Sequence, residues 1–127
     1  MKFTIYQASR QGGRKNNQDR VAYSYSREAL LMVVADGMGG HMHGEIAAQI
    51  AVQTLTEQFQ KHAKPRLDDP MLFLTEAGER AHYAINDYAV EQDLLEIPHT
   101  TLVVAVVQDN TVYWSHVGDS RFYLFSD

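Results

Sequence analysis

Asp36 opens the run Asp36-Gly37-Met38-Gly39-Gly40, directly after the apolar stretch Ala29 to Ala35. A carboxylate at the end of a buried strand is held by a rigid element and still reaches solvent. Glycines there let backbone carbonyls come close to a bound ion. Asp36 and the carbonyl of Gly37 are hard oxygen donors, suited to Mg²⁺ or Mn²⁺ rather than to zinc or copper. A second group, Arg14-Lys15-Asn16-Asn17-Gln18-Asp19, sets a guanidinium fork able to hold two phosphate oxygens beside another acid that can join a metal shell. A third acid, Asp119, sits in the tight turn Gly118-Asp119-Ser120 before Arg121. Taken singly, each pattern also describes an ordinary turn or a solvated loop.

Two rival chemistries fit less well. A strand, a glycine-rich turn and a helix also describe a dinucleotide fingerprint, G-x-G-x-x-G. Here Gly37 and Gly39 fill the first two positions, but the third falls on Met42, and Asp36 would repel a pyrophosphate. His41 and His43 alternate after the glycines, but only Glu45 is near enough in sequence to add a ligand, short of the four that a structural zinc site requires. The chain has no cysteine, which excludes disulfides, zinc–thiolate sites and thiol nucleophiles.

The elements that must position these groups follow from periodicity. Phe3, Ile5 and Gln7 alternate as a weak strand, and Val21 to Ser26 reads as a second one. Ala29 to Ala35 suits a strand buried on both faces. A helix is expected from Gly44, with Ile46, Ile50, Leu55 and Phe59 on one face and Ala47 and Ala51 between them. Lys61 to Asp69 is a linker. Asp69 then caps a second helix with Pro70 at its first position, its apolar face formed by Leu74, Ala77, Ala81, Ile85 and Tyr88. Thr101 to Gln108 and Thr111 to His116 are strands joined at Asp109-Asn110, residues that tolerate the positive φ of a tight hairpin. Phe122 to Phe125 is the last strand. The order β-β-β-α-α-β-β-β, with hairpins at both ends, predicts an α+β fold with mostly antiparallel pairing. The final strand has no following element, an open edge that implies a piece of something longer.

The 127 residues are 45% hydrophobic and 21% charged, ordinary for a globular domain, with a formal net charge of −5. That balance argues against nucleic acid or an anionic membrane as the main partner. No signal peptide is expected at Met1 to Ser9 and no stretch approaches the ~20 apolar residues of a membrane span, so the expected location is the cytoplasm.

In order and spacing the motifs resemble those of the metal-dependent PP2C-type protein phosphatases (the PPM family). Arg14-x-x-Asn17-Gln18-Asp19 matches the first family motif, and Val34-Ala35-Asp36-Gly37-Met38-Gly39-Gly40-His41 with Gly44-Glu45 matches the most distinctive one. Thr100-Thr101 falls where the family carries Gly-Thr-Thr, and Gly118-Asp119-Ser120-Arg121 matches the next motif. His99 replaces the usual glycine and Ala48 a frequent serine.

The resemblance implies an α-β-β-α sandwich of antiparallel sheets flanked by helices, with residues 1–127 the N-terminal half of one phosphatase domain. It implies hydrolysis of phosphoserine and phosphothreonine on proteins by a metal-activated water at a binuclear Mn²⁺ or Mg²⁺ site. Asp36 would bridge the two ions, Gly37 would offer its carbonyl, and Asp19 would bind directly or through water. Asp119 would help hold a third, weaker ion, and Arg14 would clamp the substrate phosphate. The implied partner is a phosphorylated protein, with a Ser/Thr kinase acting in opposition. With only part of the ligand set present, the chain alone is expected to be inactive or nearly so, and to self-associate through its exposed sheet edge or face. The alternatives are a non-catalytic relative that binds a phosphoprotein, and a stand-alone metal- or phosphate-binding domain.

Overall fold

In the computed structural model the described residues are 19–37, 44–98, 100–118 and 121–126, with side chains described over 21–34, 44–98 and 100–116. Strands β1 (Asp19–Tyr25) and β2 (Ala29–Gly37) form a hairpin. Helices α1 (Gly44–His62) and α2 (Pro70–Glu91) follow, and β3 (Thr100–Gln108), β4 (Thr111–Gly118) and β5 (Arg121–Ser126) complete the described elements. All five strands join one sheet in the order β1-β2-β3-β4-β5, and every neighbouring pair is antiparallel. The expected strand at Phe3 to Gln7 lies outside the described residues.

The two helices explain why β2 and β3 run antiparallel. A single crossover helix would return the chain to the start of a parallel strand. Here α1 carries the chain away from the end of β2 and α2 brings it back, so β3 begins beside the residues where β2 stops. This is not the parallel β-α-β unit of a dinucleotide fold.

Both helices cover one face of the sheet. Ala29, Leu31 and Val33 of β2 and Leu102, Val104 and Val106 of β3 are buried beneath them. From α1 the contacts come from Ala47, Ala48, Ala51, Leu55 and Phe59, and the small residues let the helix axis approach the strands closely. The expected stripe through Ile46 and Ile50 is therefore displaced: both are half-buried, and Ala48 takes the inner position. On α2, Phe73, Leu74, Ala77, Ala81, Ile85 and Ala89 are buried while the expected Tyr88 is only half so. Phe59 and Phe73 meet edge to face, with centroids 6.0 Å apart, and tie the two helices together.

The opposite face corrects a second expectation. The far face of β2 is only partly covered: Leu30 is buried there, but Met32 and Val34 remain 45% and 43% exposed. Val21 pairs with Val34 and Val34 with Val103, so these positions form an apolar row across three strands. Among the described residues no second layer covers that row.

Local signals in the sequence are realised closely at the helix and hairpin ends. Asp69 has extended backbone, and its carboxylate accepts a hydrogen bond from Leu72 N–H at 3.1 Å, with Pro70 opening α2. Asp109 and Asn110 take φ of 56° and 59°, the left-handed pair of a type I′ hairpin.

The linker between the helices is clamped to the sheet end that holds the hairpin turns. Ser26 Oγ donates to Pro65 O at 2.5 Å, and Glu28 N–H donates to the same carbonyl at 3.2 Å. Gln108 is buried and pairs with both the N–H and the C=O of Leu67. Arg66 donates from both terminal nitrogens to the two carboxylate oxygens of Asp109. This fork holds the Asp109 carboxyl below its ordinary value, chiefly through the hydrogen bonds. A depressed carboxyl contributes stability above its unfolded value and loses it as pH falls through the folded one. The stability difference between the wild type and Asp109→Asn, measured by urea unfolding, should therefore shrink as pH falls below about 4. Asparagine tolerates the left-handed backbone, so the comparison isolates the ion pair. A difference unchanged between pH 6 and pH 3 would rule out this contribution.

Candidate metal centre

The starts of β1 and β3 and the ends of β2 and β4 gather at the other end of the sheet, away from the clamped linker. In the β1–β2 ladder Asp19 lies directly opposite Asp36. Across the other side of β2, Asp36 pairs with Thr101 and Gly37 with Thr100. Directly opposed residues of an antiparallel pair have Cα atoms about 4.5–5.5 Å apart and occupy the same face of the sheet. By alternation from Val21, Val34 and Val103, the row Asp19–Asp36–Thr101 belongs to the open face and not to the helix layer.

The local reasons are simple. Asp36 is the penultimate residue of a nine-residue strand paired on both sides, so its backbone is fixed by ladders to β1 and β3. Asp19 is brought to it by the short turn after Tyr25, which folds β1 back along β2 without an intervening element. Two acids at opposed positions repel one another at neutral pH unless a cation neutralises them. The donor set is also right for a hard cation: two carboxylates and a backbone carbonyl at a strand end, with neither thiolate nor imidazole among them. The residues present therefore fit a Mn²⁺ or Mg²⁺ site.

Of the residues singled out in the sequence, Asp19, Asp36 and Gly37 come together at one sheet end. Arg14 and Asp119 lie outside the described residues, as do His41 and His43. The strand ends that flank Asp119, Gly118 and Arg121, pair with each other, and β4 follows β3 to that same end. What sequence reasoning missed is the direct pairing of Thr100 and Thr101 with Gly37 and Asp36 at the end of β2. The signal was the Thr-Thr motif itself, but its partner strand lay two helices away.

Among the described residues no helix is long and apolar enough to cross a membrane. The chain is 36% identical over 120 residues to the serine/threonine protein phosphatase PstP of Mycobacterium tuberculosis, covering 90% of this chain and 21% of that protein. It is 35% identical over 118 residues to the protein phosphatase PhpP of Streptococcus pneumoniae serotype 2, covering 87% and 45%. Its fold superposes on the catalytic domain of PstP in complex with two manganese ions with a TM-score of 0.67 at 28% identity, covering 88% of this chain and 49% of that one. The chain spans about half the length, or less, of the curated relatives it matches. The sequence profile described as protein phosphatase 2C matches residues 7–127, the span over which the acidic turns and their strands occur in order. The chain belongs to the protein phosphatase 2C family.

Proposed function

We propose that residues 1–127 form the N-terminal portion of a single phosphatase domain, and that the whole protein hydrolyses phosphoserine and phosphothreonine on proteins with Mn²⁺ or Mg²⁺. The observation that carries this reading is the register that sets Asp19 opposite Asp36, with Gly37 as the next residue of the same strand. When bound, two such cations polarise phosphoryl oxygens and lower the pKa of water toward neutrality. The chain's own residues do the rest. Asp36, on β2 between β1 and β3, would hold both ions; Asp19 would hold one from β1, directly or through water; and the Gly37 carbonyl would add a neutral donor. Arg14 grips the phosphate, orienting it and offsetting the negative charge of the phosphoryl group as the reaction proceeds. Asp119 would contribute to a third, weaker site. The substrate is a protein phosphorylated by a Ser/Thr kinase, which opposes this activity.

A site with so few protein ligands leaves a cation mostly hydrated and loosely held. Residues 1–127 alone are therefore expected to hydrolyse a phosphothreonine peptide with Mn²⁺ at less than about 1% of the whole protein's rate, a loss of roughly 3 kcal/mol of transition-state stabilisation. The open apolar face is expected to make the same fragment self-associate, whereas the whole protein covers it. Parallel phosphatase assays and light scattering on both proteins test this. A fully active fragment would refute the divided site, and a strictly monomeric one at high concentration would refute the self-association.

A further inference from the structure

The end of α2 carries an exposed surface that the metal centre does not use. Val90 is 80% exposed, Leu95 fully exposed and Ile97 47% exposed, all near the loop that leads into Thr100. This display is built into the chain rather than being a frayed end. Gln92 N–H donates to Tyr88 O, Asp93 N–H to Val90 O and Leu94 N–H to Ala89 O, at 2.9, 3.1 and 2.9 Å. Asp93 has φ of 54°, completing a Schellman motif that turns Leu94 inward and leaves Leu95 outside. Pro98, at the far side of the loop, is buried.

The described charged residues nearest to this apolar patch along the chain are all acidic. Asp87, Glu91 and Asp93 are exposed beside it, and no lysine or arginine occurs anywhere between Arg80 and Arg121. Its position is also constrained. Leu95 precedes Thr100 by so few residues that the connecting backbone spans at most roughly 18 Å, and Thr100 pairs with Gly37 of the metal centre. An extended peptide of about five residues covers the same span.

We propose that the C-terminal turn of α2 and the loop 92–98 dock the substrate segment that flanks the phosphorylated residue, taking an apolar side chain against Val90, Leu95 and Ile97 and a basic one against Asp87, Glu91 and Asp93. The proposal rests on the phosphatase reading and names the class of substrate sequence that it favours. An apolar side chain gains by leaving water against the exposed patch, and a lysine or arginine gains by meeting the acids that ring it. The phosphate itself remains the business of the metal centre. The docking surface therefore acts on substrate affinity and leaves the chemical step alone.

The test uses the whole protein with Mn²⁺ and two variants, Leu95→Ser with Ile97→Ser, and Glu91→Lys with Asp93→Lys. Three substrates are compared: p-nitrophenyl phosphate, a phosphothreonine peptide flanked by leucine and arginine, and one flanked by serine and glutamate. The wild type should prefer the basic, apolar peptide, and the serine variant should lose about tenfold in kcat/KM on it through KM, with p-nitrophenyl phosphate unchanged. The lysine variant should move the preference toward the acidic peptide. Anisotropy of the labelled basic peptide, read without turnover, should show the same loss of binding in the serine variant. Peptide binding without any hydrolysis would sink the phosphatase reading and uphold the docking surface; hydrolysis with no peptide preference would do the reverse. An equal fall on p-nitrophenyl phosphate, a lowered Tm of the serine variant, or its conversion from dimer to monomer would overturn the proposal, assigning the patch to catalysis, to the protein's own chain or to a second copy.

Discussion

Asp36→Asn in the whole protein is expected to lower kcat/KM on a phosphothreonine peptide by about 10³-fold or more with Mn²⁺ present. Bound cations supply about 4 kcal/mol of transition-state stabilisation, at 1.36 kcal/mol per decade of rate. Asparagine preserves the size and the strand position but removes the charge that a bridging ligand needs. The change also has a signature apart from activity. In the absence of metal, Asp19 and Asp36 occupy opposed positions of the β1–β2 ladder, so removing one charge is expected to relieve repulsion and raise the Tm of the metal-free protein. Added Mn²⁺ should then raise the Tm of the variant far less than that of the wild type, because stabilisation by a ligand follows its affinity. Thermal unfolding with and without Mn²⁺ reads both effects. An Asp36→Asn protein that keeps its activity and its Mn²⁺-dependent Tm shift would remove Asp36 from the site.

Gln108→Leu should be the most damaging single change to the fold at the other end of the sheet. Gln108 is 1% exposed, at the last position of β3, and its amide pairs with both backbone groups of Leu67, each at 2.9 Å. Leu67 is itself 2% exposed, so leucine at position 108 would leave a buried N–H and a buried C=O without partners. At about 1–3 kcal/mol for each unpaired group, the loss is roughly 2–6 kcal/mol, a large share of the 5–15 kcal/mol that holds a typical domain folded. The hydrophobic gain of the added leucine does not reach the two orphaned groups. Gln108→Glu should be no better: the carboxylate can accept from Leu67 N–H but has no donor for Leu67 C=O, and it buries a charge. Urea unfolding measures the loss directly. A change below about 1 kcal/mol would mean that the linker can move and hydrate these groups, so that the clamp holds nothing essential.

Much of the architecture was legible because it is locally determined. The cap at Asp69-Pro70 needs only a carboxylate, a proline and the orphan amides of the first turn, all within one stretch of chain. The Asp109-Asn110 hairpin needs two residues that accept positive φ between alternating strands. Even the opposition of Asp19 and Asp36 is close to local, because a short turn after Tyr25 leaves the β1–β2 hairpin few registers to choose from. The acidic turns and their order were enough to place the chain among phosphatase relatives before any coordinates.

Other features depend on contacts that no local window contains. The pairing of Thr100 and Thr101 with Gly37 and Asp36 joins residues separated by two helices, and its register is set by how those helices pack on β2 and β3. The inner face of α1 runs through Ala48 rather than Ile46 because close approach to the sheet rewards small residues, which periodicity alone cannot rank. The apolar run of β2 looked buried on both sides, yet Met32 and Val34 are open, since hydrophobic sequence records what a strand can bury and not which layers are present to cover it. The amino-acid sequence by itself determined the acidic motifs of the candidate site, the helix cap and the hairpin turn, because each of these depends on neighbours along the chain. Only the tertiary structure decided which strand ends meet and which faces stay open, because those are settled by packing between elements far apart in sequence.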